Sequence, residues 1–222
     1  MPDVLSRRRR RSPSPLLPKE IEIQNSMALA EGMRLSEEHM LTNDAEQRAR
    51  RQRLFHNLAS YGYTYEEVPR DGNCQFVAVL QQAGIPFEQH VRFRKLVILW
   101  MERNSELYNE SVPMPWDEYL RKMSVSDSWG DYSTMRAMLD MLDVSATIIS
   151  DAVDVNHAMV ELSPVSQEEF DVGKRRAIFF DLAHAIDEDH GNLFMNMLTA
   201  FDGRRLSFGF FFELHYGIAV PL

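Results

Sequence analysis

Cys74 is the only cysteine among 222 residues. A polar turn, Asp71-Gly72-Asn73, precedes it, and an apolar run with Phe76, Val77, Val79 and Leu80 follows. That spacing predicts a helix entering a core, with Cys74 at or near its N-terminus. Free backbone N–H groups and the positive end of the helix dipole favour an anion there, which lowers a thiol's pKa and makes the thiolate a better nucleophile. Gly72 and Asn73 tolerate the tight backbone such a turn needs, and their amides are candidates for holding an oxyanion formed beside the sulfur. The competing reading is a small buried thiol at a turn-to-helix junction, the common fate of an unpaired cysteine.

The elements that must position this thiol fall in a definite order. Residues 1–19 hold five arginines, Arg7 to Arg11, and then Ser12-Pro13-Ser14-Pro15. Like-charge repulsion and proline predict a disordered basic tail, either a nuclear-localisation or nucleic-acid-attracting patch with Ser12 and Ser14 as proline-directed phosphosites, or an inert solvated extension. Residues 20–60 read as a helical N-terminal extension rich in good helix formers. Asn43 or Asp44 is its candidate cap, and packing is expected through Leu54, Phe55 and Leu58. An aromatic turn or strand, Tyr61 to Pro69, leads into the nucleophile stretch.

A long helix is predicted from about Glu88 to Leu107, with Val91, Leu96, Leu99 and Trp100 on a buried face. A short one with Pro115 at its start follows, with Trp116, Tyr119, Leu120 and Met123 at helical spacing. Asp131 or Ser133 opens another that carries Met135, Met138, Leu139 and Leu142. Beyond these come short β-branched or aromatic runs: Ala146–Ser150, Met159–Leu162, Ala177–Phe180, Leu206–Phe212 and Tyr216–Val220. Helices first and strands later predict an α+β layered fold, a small central sheet flanked by helices.

Composition narrows the function classes. An apolar fraction of 45% supports a proper core. One cysteine excludes an intrachain disulfide framework and a cysteine-rich zinc site, and fits a reducing compartment. The longest apolar runs are too short to span a bilayer, and the charged, proline-rich start has no signal-peptide core. The expectation is a soluble intracellular protein, cytoplasmic or nuclear, with no membrane partner. A net charge of −9 argues against nucleic-acid binding by the folded part.

Four segments resemble a known family. Asp71-Gly72-Asn73-Cys74-Gln75-Phe76 matches the signature of ovarian-tumour (OTU) cysteine proteases. Glu213-Leu214-His215-Tyr216-Gly217-Ile218-Ala219-Val220 resembles the family's catalytic-histidine strand. Val112 to Met123 and Ser128-Trp129-Gly130-Asp131-Tyr132 look like the middle of plant-type OTU domains. Order and spacing agree over roughly Tyr61 to Val220, so 61–222 is expected to be the catalytic domain. The resemblance implies a papain-like OTU fold and a thiol-dependent deubiquitinase acting on ubiquitin, polyubiquitin or a ubiquitin-like modifier, as a monomer and without a cofactor.

On that resemblance Cys74 is the nucleophile, His215 the base that later protonates the leaving amine, and Asp71 the third member of the triad or a residue that shapes the loop. Gly72 and Asn73 belong to the oxyanion loop. Around Trp129-Gly130-Asp131 the family supports the site from below.

Two departures stand out. Many relatives carry Asn or Asp two residues after the histidine, to orient its ring; here that position is Gly217. The missing orienter leaves open an enzyme that is slow, dependent on a water or another acid, or activated only by substrate, as well as a silent ubiquitin-binding module, and suggests that Gly217→Asn would raise turnover. Residues 181–205 read as an insertion. Its His184, Asp187, Glu188, Asp189 and His190 have metal-ligand chemistry but no recognised spacing, so a solvated segment is expected, with Phe194, Met195, Met197 and Leu198 on an amphipathic turn or helix.

Overall fold

The structure is a computed structural model, and it describes residues 45–165, 171–186, 191–201, 205–211 and 215–222. The basic tail and most of the helical extension lie outside these residues. By compactness the chain divides into Met1–Glu46 and Gln47–Leu222. In the second unit the helix that leads into Tyr61 packs with the residues that follow it.

That helix, α1, covers 45–60. Then come β1 (Tyr63–Glu66), α2 (Cys74–Gln82), α3 (His90–Arg103), α4 (Trp116–Ser124) and α5 (Tyr132–Leu142). The second half holds β2 (Ala146–Ser150), β3 (Met159–Leu162), α6 (Val172–Ile186), α7 (Gly191–Ala200), β4 (Leu206–Phe211) and β5 (His215–Pro221). The strands form one mixed sheet in the order β1-β5-β4-β2-β3. β2 and β4 are parallel, and the other neighbours are antiparallel. This is the expected α+β arrangement. Among the described residues no helix is long and apolar enough to cross a membrane.

The two faces of the sheet have different cores. Alternation along β5 sends Tyr216 and Ile218 into the main core with α2, α3, α5 and α6, while Ala219 joins Ile149, Leu54 and Leu58 in a smaller cluster under α1. Phe76, Phe93, Trp100, Phe179 and Phe208 are fully buried in the main core, and burying each such side chain favours folding by roughly 1.5–3 kcal/mol. α5 starts where a strong stop-start signal places it. Asp131 caps it, accepting from the Thr134 amide at 3.0 Å while Thr134 Oγ1 accepts from the Asp131 amide at 2.8 Å, a reciprocal capping box.

Several expectations are corrected. Ala177–Phe180 is helical, not a strand, and lies inside α6. Ile178 and Phe179 recur four residues on as Leu182 and Ala183, all buried, which is a helical period that a four-residue apolar window cannot distinguish from a strand. Asp171 starts this helix by accepting from the Lys174 amide at 2.9 Å. Val91 is exposed, and Phe93 and Val97 take its place on the buried face of α3, which ends at Arg103 rather than Leu107. Phe55 is also exposed. In the 181–205 stretch the helix expected around Phe194–Leu198 is present as α7, but the described part of the stretch is packed rather than solvated. Its start completes α6, and in α7 Phe194 and Met197 are fully buried, with Phe194 stacked on Phe93 at 6.2 Å between ring centroids.

Candidate active site

Cys74 is the first residue of α2 and is 1% exposed. The chain arrives there through Gly72, at φ +78°, a left-handed conformation that favours glycine. Space makes the same demand: a Cβ on Gly72 would fall on the backbone carbonyl of Asp127. Two loops are therefore pressed together beneath the thiol, 70–73 and 125–131.

The polar groups of the first loop bond one another and reach out to Asp127 and Arg94. Asp71 Oδ1 accepts from the Asn73 amide at 3.0 Å, a side-chain turn that fixes the backbone just before the helix. Asn73 Nδ2 donates to Asp127 Oδ1 at 3.0 Å, and Asn73 Oδ1 accepts from Arg94 Nη2 at 2.8 Å. The Asn73 amide is thus committed to Asp71 and is withdrawn from the oxyanion set expected from sequence. Asp71 is exposed and acts in the structure by shaping this loop.

Arg94 is the organiser that sequence reasoning missed. It is 1% exposed. Nη1 donates to Met123 O at 3.0 Å, and Nη2 donates to Gly72 O at 3.0 Å and Ser128 O at 2.8 Å. Its guanidinium lies 4.0 Å from the centroid of the Phe76 ring, a cation–π contact. Burial pulls its pKa down to about 10, opposed by the charges of Asp127, Asp71 and Cys74, so it stays cationic at neutral pH. The available signal was an arginine at a position where the α3 pattern calls for an apolar residue.

β5 brings the other half of the site. β1 pairs with β5 only as far as Glu66↔Ile218. Beyond that pair the edge of β5 faces α2, and the Tyr216 amide donates to Cys74 Sγ at 3.4 Å. His215, the preceding residue, opens β5 opposite Phe211. The fold therefore brings the histidine strand and the cysteine helix into contact. Burial pushes the Cys74 thiol up, the amides of Tyr216, Gln75 and Cys74 itself pull it down, and the Asp71 charge raises it, for a net rise. Left to these groups, the thiol is protonated at neutral pH. A cationic partner is what a thiolate here needs.

The 128–131 region supports the site as the resemblance implied. Gln75 Nε2 donates to Asp131 O at 3.0 Å, Gln75 Oε1 accepts from Thr134 Oγ1 at 2.7 Å, and Tyr119 donates to Asp131 Oδ1 at 2.8 Å. A Cβ on Gly130 would collide with the Gln75 amide, so this glycine is required by close approach.

Of the suggested acidic cluster, residues 187–190 lie outside the described residues. The His184 ring packs on Phe180, with 4.1 Å between centroids, and its Nδ1 lies 3.0 Å from Phe180 O. Among the described residues no group of three or more metal-ligating side chains converges.

No family model matches the chain. Individual proteins do. It is 34% identical over 117 residues to OVARIAN TUMOR DOMAIN-containing deubiquitinating enzyme 10 of Arabidopsis thaliana, covering 53% of this chain and 32% of that protein. It is 31% identical over 116 residues to enzyme 12 of the same plant series, covering 52% of each. The chain thus spans about a third to a half of the length of these curated relatives. In structure it resembles the OTU domain of OTUD1, with a TM-score of 0.56 over 80% of this chain and 98% of that one. At 12% identity that likeness bears on the fold alone.

Proposed function

We propose that this chain, an ovarian-tumour (OTU) domain protein by its fold and its plant relatives, is a thiol-dependent deubiquitinase. It hydrolyses the amide or isopeptide bond at the C-terminus of ubiquitin or a ubiquitin-like modifier. The observation that carries the reading is the Tyr216 amide on Cys74 Sγ, which sets the strand opened by His215 beside a thiol at a helix N-terminus.

The chemistry follows from what each residue can supply. His215 takes the Cys74 proton, and the resulting imidazolium stabilises a thiolate that burial alone would keep protonated. Sulfur attacks the carbonyl carbon, and the oxygen that becomes negative is held by loop amides, those of Gly72 and Cys74, the Asn73 amide being bound to Asp71. His215 protonates the leaving lysine amine, the C–N bond breaks, and a thioester to Cys74 remains. The same histidine then activates a water that hydrolyses it. Asp71 contributes by holding the loop. The protein works as a monomer, and a chain with a single cysteine, which can form no intrachain disulfide, suits the cytoplasm or nucleus.

The test is cleavage of ubiquitin dimers by the full chain and by Cys74→Ala. Cleavage that disappears in the variant, with its fold intact, is expected; cleavage that survives removes Cys74 from the mechanism. Gly217 favours a second reading, a silent ubiquitin-binding module. That reading requires the wild-type chain to bind ubiquitin and cleave nothing.

A further inference from the structure

Residue 217 has no side chain because its place is taken. A Cβ built on Gly217 would overlap Cε2, Cζ and Oη of Tyr65. Tyr65 lies on β1 opposite Ala219, and its ring reaches across β5 to β4, where a Cβ on Gly209 would stand 2.7 Å from Cδ2 and Cε2. Gly209 and Gly217 are register partners. Together they make a side-chain-free groove in which the ring is seated, the close approach that glycine inside a strand marks.

The ring ends in an unused polar group. Among the described residues the Tyr65 hydroxyl is buried and has no hydrogen-bond partner. A buried hydroxyl without a partner is disfavoured, and one beside a reactive centre calls for an explanation. Residues 215 and 217 share one face of β5 by strand alternation, so the hydroxyl stands where a side chain on the residue two after His215 would begin.

We propose that the Tyr65 hydroxyl takes over the role of the missing side chain at position 217 and positions the His215 imidazole, accepting a hydrogen bond from its ring N–H. The proposal rests on the Cys74–His215 reading above. An imidazole that exchanges protons through one nitrogen must have the other held, which fixes both tautomer and orientation. Tyr65 is able to act as this acceptor. Burial pushes its pKa up to about 12, with Glu67 and Cys74 raising it and Arg70 and Arg51 lowering it, so the phenol is neutral throughout the working range. Tyr65 is a positioning residue and touches no reacting atom.

Tyr65→Phe tests this with the full chain, because it keeps the ring in its groove and removes only the hydroxyl. A merely structural hydroxyl predicts unchanged activity and equal or greater stability, since an unpartnered buried polar group is lost. The positioning role predicts kcat lower by about tenfold or more with KM unchanged. It also predicts that the pH midpoint for alkylation of Cys74 by iodoacetamide moves upward, toward that of His215→Ala. A restoring pair adds a second readout: Tyr65→Ala is slow, and adding Gly217→Asn in the vacated groove returns part of the lost kcat. Wild-type kcat and alkylation profile in Tyr65→Phe, while His215→Ala shifts the profile, would overturn the role of Tyr65 alone. An alkylation profile unmoved by His215→Ala would overturn the Cys74–His215 reading itself.

Discussion

At the residue scale, one glycine and one aspartate change meaning between sequence and structure. The sequence presents Gly217 as a lesion to be repaired by asparagine. In the fold the Tyr65 ring fills that place, so Gly217→Asn alone forces a ring and a new side chain into one volume. The expected outcome is the reverse of repair. Overpacking of this kind costs about 1–3 kcal/mol, read as a lower urea midpoint, and turnover falls rather than rises. Asp71 looks like a triad member by position, yet its carboxylate oxygen holds the Asn73 amide. Asparagine preserves that acceptor and alanine does not. Asp71→Asn is therefore expected to stay within about threefold of wild-type kcat, and Asp71→Ala to lose about tenfold, roughly the 1–1.5 kcal/mol of a lost local hydrogen bond. A drop of several orders of magnitude in Asp71→Asn would instead show that its charge orients the histidine. The DGNC turn itself was legible, because glycine, a helix start and a lone thiol carry local meaning. What fills the space above Gly217 was not, since the chain offers no local pattern linking Tyr65 to it.

At the element scale, α3 does more than pack. Through Arg94 it ties the loop before Cys74 to the end of α4 and to the 125–131 loop, by carbonyls of Gly72, Met123 and Ser128 and the side chain of Asn73. Lysine offers a compact ammonium in place of the planar fork and cannot reach all four acceptors. Arg94→Lys is expected to destabilise the fold by about 3 kcal/mol, within the range for a broken buried charge network, and to lower kcat because Gly72 and Asn73 lose their anchor. Chemical denaturation measures the first effect and dimer cleavage below the midpoint the second. A variant as stable and active as wild type would show that Asn73 and Gly72 hold the loop without it. Element reading from sequence succeeded where local signals were complete, as at the Asp131 cap of α5. It failed at Ala177–Phe180, where four apolar residues fit either period and only Leu182 and Ala183, one turn on, decide for a helix.

At the scale of the whole molecule, the α+β class was readable because helix and strand patterns segregate along the chain. The strand order was not, since β1, far from β5 in sequence, pairs with it and stops at Glu66. That early stop exposes the β5 edge to α2 and so creates the contact between Tyr216 and Cys74. A pH dependence follows from it. Burial disfavours the charged thiolate and raises the Cys74 pKa, so without an imidazolium the midpoint lies above the roughly 8.5 of a free thiol. His215→Ala is expected to move the alkylation midpoint of Cys74 to that high side, with the wild-type midpoint well below it.

The most direct measurement is covalent capture by a ubiquitin probe carrying a thiol-reactive group at its C-terminus, with the modified residue identified by mass spectrometry. The account predicts a one-to-one adduct on Cys74 at neutral pH, absent in Cys74→Ala and strongly slowed in His215→Ala. A wild-type chain that stays unmodified, or an adduct that forms equally fast without His215, would contradict it.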